Sequence, residues 1–208
     1  MTEKFPLFPL PSVVLFPKVE IKLNLFEKRY LEMFEHVLQK DQRFVLSSFL
    51  PGWEDDYYHT DAIEKVACLG KVIDWQKKSN DQILITFYGE ERIKIDSISD
   101  HKSYREALIH PIPEHPLSSK EKLLAKVSPD LQKEANIFFV VSKNFYINET
   151  TLLNSYASRM ALAIETKQEL LKLNELDDRF LRICGFLKEQ PFQKPLSLDD
   201  LIGEISVN

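Results

Sequence analysis

From Phe5 to Phe44 the apolar positions change period along the chain. Phe5, Leu7, Phe8 and Leu10, then Val13 to Phe16, lie among four prolines, Pro6, Pro9, Pro11 and Pro17. A proline lacks the backbone N–H and fixes φ, so these four belong at strand ends, edges or turns. Val19, Ile21 and Leu23 alternate with Lys18, Glu20 and Lys22, the period of a half-buried strand. From Asn24 the period is helical: Phe26, Tyr30, Met33, Phe34, Val37 and Leu38 fall on one stripe. Asn24 with Glu27 three residues on has the spacing of a capping box. The stretch reads as strand, strand, helix, and Phe44-Val45-Leu46 opens the next strand.

Further strands follow. Leu50-Pro51-Gly52 ends one, and residues 53–62, polar, acidic and aromatic, read as a surface loop. Residues 66–75 are strand-like, with Gly70 marking a bulge or a close backbone approach. Residues 83–88 are β-branched and aromatic. Gly89-Glu90-Glu91 predicts a reversal into a separate strand, where Ile93 and Ile95 alternate with Arg92, Lys94 and Asp96. Residues 104–112 give one more, stopped by Pro111 and Pro113. Antiparallel strands with short turns and one inserted helix predict a small, closed β-structure, since closure removes exposed edges.

After a linker at residues 113–119 the period is helical. Residues 120–127 predict a short helix, and Ser128-Pro129 has the order N-cap then N1. Leu131, Ala135, Phe138, Phe139 and Ser142 form an inner stripe, with Ile137, Val140 and Val141 widening the apolar surface. Asn148 is placed to cap the next helix, where Leu152, Leu153, Tyr156, Ala157, Met160, Ala161 and Ile164 keep a three-four spacing. Thr166 with Glu169, and Asn174 with Asp177, predict two more helix starts. Short loops between these helices predict an antiparallel bundle. The expected fold class is α+β: a β lobe over residues 1–113 with a helix at about 25–40, a helical lobe over 120–190, and a tail over 191–208. Leu196, Leu198, Leu201, Ile202 and Ile205 of the tail predict a short amphipathic turn docked on the body or on a partner.

Composition narrows the function classes. Of 208 residues, 44% are hydrophobic and 28% charged, as in ordinary soluble domains. The formal net charge of −5 gives no general attraction to a phosphate backbone, which disfavours nucleic acid as a partner. Cys68 and Cys184 stand far apart in apolar contexts and read as reduced core thiols. No apolar run reaches the ~20 residues of a membrane span, and no basic-then-apolar leader opens the chain. A cytoplasmic location without a membrane partner is expected.

The segment FPLFPLPSVVLFP, then LFEKRYLEMF, resembles the N-terminal domain of the Lon protease family. The family pattern is matched by Pro6-Leu7-Phe8-Pro9-Leu10, Val14-Leu15-Phe16-Pro17 and Phe26-Glu27-Lys28-Arg29-Tyr30. Gly70, then Gly89 with Arg92 and Ile93, continue it loosely. Leu153-Asn154-Ser155-Tyr156-Ala157, Lys167-Gln168-Glu169-Leu170-Leu171 and Asp178-Arg179-Phe180 follow the family order. The similarity runs from about Phe5 to Leu187. It implies a PUA-like β pseudo-barrel followed by a helical bundle. It also implies a substrate-recognition domain, here as a stand-alone protein lacking the ATPase and protease domains.

The residues offer little chemistry. A Walker loop needs a glycine-rich turn whose amides cradle phosphate; Gly70-Lys71 is the only Gly-Lys pair among five glycines, and Val72 follows it. Ser47 and Ser48 lack the flanking glycines of a nucleophile elbow. His101, His110 and His115 lack the spacing of a zinc site, and Glu54, Asp55, Asp56 and Asp61 lack the glycine and closing glutamate of a calcium loop. No catalytic residue, metal or cofactor is assigned.

Binding surface remains. Trp53, Tyr57 and Tyr58 are the candidate protein-binding residues, since aromatics bring large contact area with a polar handle; the alternative is that they fold back over one end of the barrel. The expected function is a non-catalytic protein- or peptide-binding module, an adaptor in protein quality control. Its expected partners are unfolded or exposed hydrophobic segments and protease components. Two alternatives stand beside it: RNA binding by analogy with the PUA-like fold, and small-molecule binding in a cleft between the lobes.

Overall fold

The computed structural model describes residues 3–57, 62–78, 81–190 and 205–207. The chain divides into two compact units, residues 1–112 with 204–208, and residues 113–203. The fold is α+β.

The first unit holds β1 (Glu3–Leu10), β2 (Glu20–Leu25), α1 (Lys28–Leu38), β3 (Arg43–Ser48), β4 (Val66–Lys77), β5 (Ile83–Ser99), β6 (Arg105–Pro111) and β7 (Ile205–Val207). The strands form one sheet in the order β4-β3-β1-β6-β5-β2-β7, and a further pairing of β4 with β5 closes it. β1 is staggered: Glu3–Leu7 pair with β6 and Leu7–Leu10 with β3. Pro6 and Pro9 therefore each have a partner strand on one side only, which is where a missing N–H is tolerated. The β1–β3 pair is parallel, unlike the all-antiparallel expectation. The connection from β1 to β3 passes through β2 and α1, and that length is what a parallel pair requires.

β5 is one strand of 17 residues, not two separated by a turn. Its first part lies between β4 and β2, its second between β4 and β6. Gly89 stands where the partner changes. Its N–H donates to the Val19 carbonyl at 2.9 Å and its carbonyl accepts from Lys18 at 2.8 Å. A Cβ there would lie 2.3 Å from the Phe16 carbonyl oxygen. The glycine admits a neighbouring backbone rather than reversing the chain. Gly70 plays the related part expected of it. The register shifts beside it, and the Phe87 ring covers it so that a Cβ would meet the ring at 2.6 Å.

One hydrophobic cluster fills the barrel from Phe5, Leu7, Val45, Leu69, Ile93 and Ile109. A second layer joins the sheet to α1. Phe44 stacks on Phe87 at 3.9 Å, and Phe8 touches both Phe44 and Tyr30. Tyr30, Met33, Phe34 and Val37 are the buried face of α1, as their spacing predicts. Phe26 is not on it, and the Asn24–Glu27 box does not form. β2 continues through Leu25, Asn24 donates to Gln82 at 2.9 Å, and Glu27 is the N-cap without a side-chain cap bond. The Ile21-Leu23-Leu25 alternation carries the strand past Asn24, where the helical period begins in the sequence.

The second unit contains α2 (Lys120–Lys126), α3 (Gln132–Phe145), α4 (Glu149–Arg159), α5 (Ile164–Lys172) and α6 (Leu176–Glu189). Asn148 caps α4 as expected, accepting from Thr150 and Thr151 N–H. The boxes at Thr166 and Asn174 do not form: α5 begins at Ile164 and α6 at Leu176, with no side-chain cap bond at either. Asp177 instead accepts from Ser118 N–H at 2.8 Å and Lys126 Nζ at 2.6 Å, which ties the 113–119 segment and α2 to α6. Phe138, Tyr156 and Phe180 meet edge-on in the core.

Arg179 is fully buried among these helices. Its guanidinium donates to Asn154 Oδ1 at 2.6 Å, to the Leu170 and Leu173 carbonyls, and to Glu114 Oε1 at 3.1 Å. Buried charge is tolerated only when paired and fully hydrogen-bonded. The Asp178-Arg179-Phe180 motif is therefore a structural pin.

Two substitutions test these assignments. Gly89→Ala forces a methyl into backbone, and is expected to cost about 3 kcal/mol or more in urea unfolding. Arg179→Met removes a buried guanidinium and strands a partly buried carboxylate and several acceptors, and is expected to cost about 3–5 kcal/mol by the same measurement.

Candidate functional site

The barrel unit carries a groove of about 390 Å³ where β1, β2 and α1 come together. The end of β1 supplies Phe8 and Leu10, followed by Pro11 and Ser12. The end of β2 supplies Leu23, Asn24 and Leu25. Phe26, Glu27 and Tyr30 come from the strand–helix junction, and Trp53 and Tyr57 complete the lining. Phe26 is 61% exposed, a large apolar ring left mostly open. The wall is hydrophobic with a few polar atoms, the composition of sites that bind apolar ligands.

Trp53 opens a short 3-10 turn, Trp53–Asp56, after Gly52, whose φ of +89° turns the chain in the left-handed region that glycine adopts freely. Trp53 stacks on Phe49 at 4.9 Å, and Tyr57 packs against both rings. The two aromatics are half-buried against the barrel cluster and also line the groove. They thus pack over one end of the barrel, as the fold-back alternative expects, and leave part of their surface in the groove. Tyr58 lies outside the described residues.

A polar lattice fixes this wall. The Tyr57 hydroxyl donates to Glu27 Oε1 at 2.7 Å, and Arg29 Nε donates to Glu27 Oε2 at 3.0 Å. The Arg29 guanidinium lies over Tyr30 at 4.6 Å and over Tyr57 at 4.4 Å, close enough for cation–π attraction to both rings. Arg105 donates to the Tyr57 carbonyl at 3.0 Å. Burial pushes the Tyr30 phenol well above the ordinary tyrosine range. Burial first, then the hydrogen bond to Glu27, raises the Tyr57 phenol as well. Glu27, Arg29 and Tyr30 belong to the motif that carries the family resemblance, so that motif builds one side of the groove.

The sequence reading gives Phe26 to the helical stripe, whereas it lines the groove. The signal lay in the strand: Ile21, Leu23 and Leu25 point inward, so Phe26 is out of phase with them and faces out. None of the other chemical candidates is among the groove's lining residues. Ser47 and Ser48 hydroxyls donate to the Glu64 and Val13 carbonyls at 2.8 and 2.9 Å. His110 pairs with Asp96 and His115 with Glu175. Both thiols are buried, and burial pushes Cys184 up to about 12, the range of an inert thiol. Among the described residues no group of three or more His, Cys, Asp or Glu is placed to hold a metal ion. No helix among them is long and apolar enough to cross a membrane.

The fold is that of Lon N-terminal domains. The Lon N-terminal domain protein of Xanthomonas campestris superposes with a TM-score of 0.63 at 17% identity, over 88% of this chain and 98% of that one. The N-terminal domain of Mycobacterium avium complex Lon protease gives 0.64 at 13% identity, over 91% and 100%. The family model of the ATP-dependent protease La (LON) substrate-binding domain matches residues 4–189, and the chain belongs to that family. Among full-length relatives, the Lon protease of Rhizobium meliloti is 24% identical over 200 residues, 88% of this chain. That of Flavobacterium johnsoniae is 24% identical over 196 residues, also 88%. The chain spans about a quarter of these relatives, 24% and 23% of their lengths.

The Tyr57 bond gives a pH-dependent prediction. A phenol whose folded-state pKa is raised contributes stability that is in place below its unfolded value, about pH 10, and is lost as pH rises beyond it. Tyr57→Phe is expected to cost about 1 kcal/mol at neutral pH. It should also flatten the decline of stability on the alkaline side. Urea unfolding at neutral and alkaline pH checks both.

Proposed function

We propose that the barrel unit binds apolar segments of other polypeptides in the groove beside Phe26, without chemical catalysis. The observation that carries this reading is the groove itself. It is an open apolar recess with an uncovered aromatic ring beside it, in a chain of the substrate-binding family. Phe26, Trp53 and Tyr57 are its contact residues. Phe26 and Trp53 supply apolar area, and Tyr57 is held in place by Glu27 and Arg29. Rigid, pre-placed aromatics lose little entropy on binding, which suits a site that must accept varied sequences. The proposed partners are unfolded or exposed hydrophobic protein segments. Protease components would receive them, so that the protein acts as an adaptor in quality control.

Support for the absence of catalysis comes from the candidate nucleophiles. Two serines are committed to backbone carbonyls, and the thiols are buried.

The test is fluorescence anisotropy with labelled, reduced and carboxymethylated lysozyme, a permanently unfolded polypeptide. Phe26→Ser and the Trp53→Ala/Tyr57→Ala pair are each expected to weaken binding roughly ten- to thirtyfold, as loss of an interface anchor does. Ile137→Ser, at an exposed apolar position of α3, is expected to leave affinity unchanged. Equal affinity in all four proteins, or cleavage of the client by the pure protein, contradicts the reading.

A further inference from the structure

β2 has β5 on one side and β7 on the other. β7 runs parallel to β2, with Ile205 opposite Ile21, Ser206 opposite Lys22 and Val207 opposite Leu23. Without β7, β2 would be the edge of the sheet. An edge presents backbone donors and acceptors that readily take up an extended chain. β7 has three residues, shorter than the usual five or six, so few bonds hold it there. Its pairing ends at Leu23. The groove wall begins at the same residue and continues through Asn24 and Leu25 to Phe26. A strand that lay parallel to β2 and ran on past Leu23 would follow this wall.

We propose that the outer edge of β2 is the acceptor for the client, and that β7 is a built-in competitor for it. The client pairs in parallel with Ile21–Leu25 and brings its following side chains to the groove. This deepens the groove reading and rests on it. The ligand class is an extended apolar segment in which β-branched and polar residues alternate, as they do in Ile205-Ser206-Val207. Backbone pairing tolerates many side chains but not a proline at a position whose N–H would face β2, since proline lacks the donor.

The experiment compares the full chain with a chain ending at Gly203 and with Ser206→Pro, which keeps the length and disrupts the middle of β7. The probes are the labelled carboxymethylated lysozyme and a labelled synthetic peptide of residues 203–208, GEISVN. If β7 holds the edge about nine-tenths of the time, freeing it raises apparent client affinity about tenfold. Both variants should show that gain and capture the peptide, and excess unlabelled peptide should displace the client. Should the shortened chain lose its circular-dichroism signature, Ser206→Pro decides. Client affinity unchanged in a folded variant overturns the proposal. If Phe26→Ser still weakens that unchanged binding, the groove reading stands while the edge proposal falls. If no form binds the client although the variants capture the peptide, the groove reading falls and the client role of the edge falls with it.

Discussion

Nothing larger than a hydrogen atom fits at residue 89, and the docking of the chain before β2 against β5 depends on that. β5 has to serve β4 along most of its length while it exchanges β2 for β6 on the other side. At the exchange the chain around Phe16–Val19 comes in against β5 and bonds both backbone groups of Gly89. This contact fixes where β2 starts, and β2 in turn fixes where α1 and Phe26 begin. The groove thus follows from where β2 is placed, and forms where β2 ends and the helix has not yet started. An aromatic ring at that junction belongs to neither core.

The two units solve different problems with buried polar groups. In the helical unit Arg179 is fully buried and satisfies carbonyls and carboxylate from several segments, which makes it a pin. In the barrel unit Arg29 keeps 13% of its side chain exposed, and stacks between two tyrosines while Glu27 holds its edge. Such an arrangement stiffens a surface without removing it from solvent. A stiff aromatic surface beside an apolar recess loses little on binding. That is the physical reason to place recognition there rather than at any of the scattered histidines or serines.

Much of the fold is legible in the sequence because its elements have clear periods. The strand alternation at Ile21–Leu23 and the α1 stripe from Tyr30 to Val37 can be read directly. Asn148 is legible as a cap because its carbonyl needs only the N–H groups two and three residues on. Signals that depend on tertiary company mislead. Gly89-Glu90-Glu91 has turn composition, but the glycine answers to Phe16, which is remote in sequence. Asn24, Thr166 and Asn174 have cap spacing, yet strand pairing or an earlier helix start claims them. The parallel β1–β3 pair leaves no mark in local alternation. Of the site, Trp53 and Tyr57 are legible as aromatics in a polar stretch. Phe26 is hidden because it is in phase with Tyr30 as well as out of phase with Leu25. The Glu27–Tyr57 bond joins residues that no local pattern relates. Tyr58 and the leucines of the tail lie outside the described residues, and Ile205 enters a strand rather than an amphipathic turn.

A backbone NMR shift map recorded while unfolded, carboxymethylated lysozyme is added tests the account most directly. The largest changes should fall on Leu10, Ser12, Leu23 to Glu27, Trp53 and Tyr57, with the helical unit unmoved. Changes confined to the exposed face of α3, around Ile137 and Val140, would contradict it.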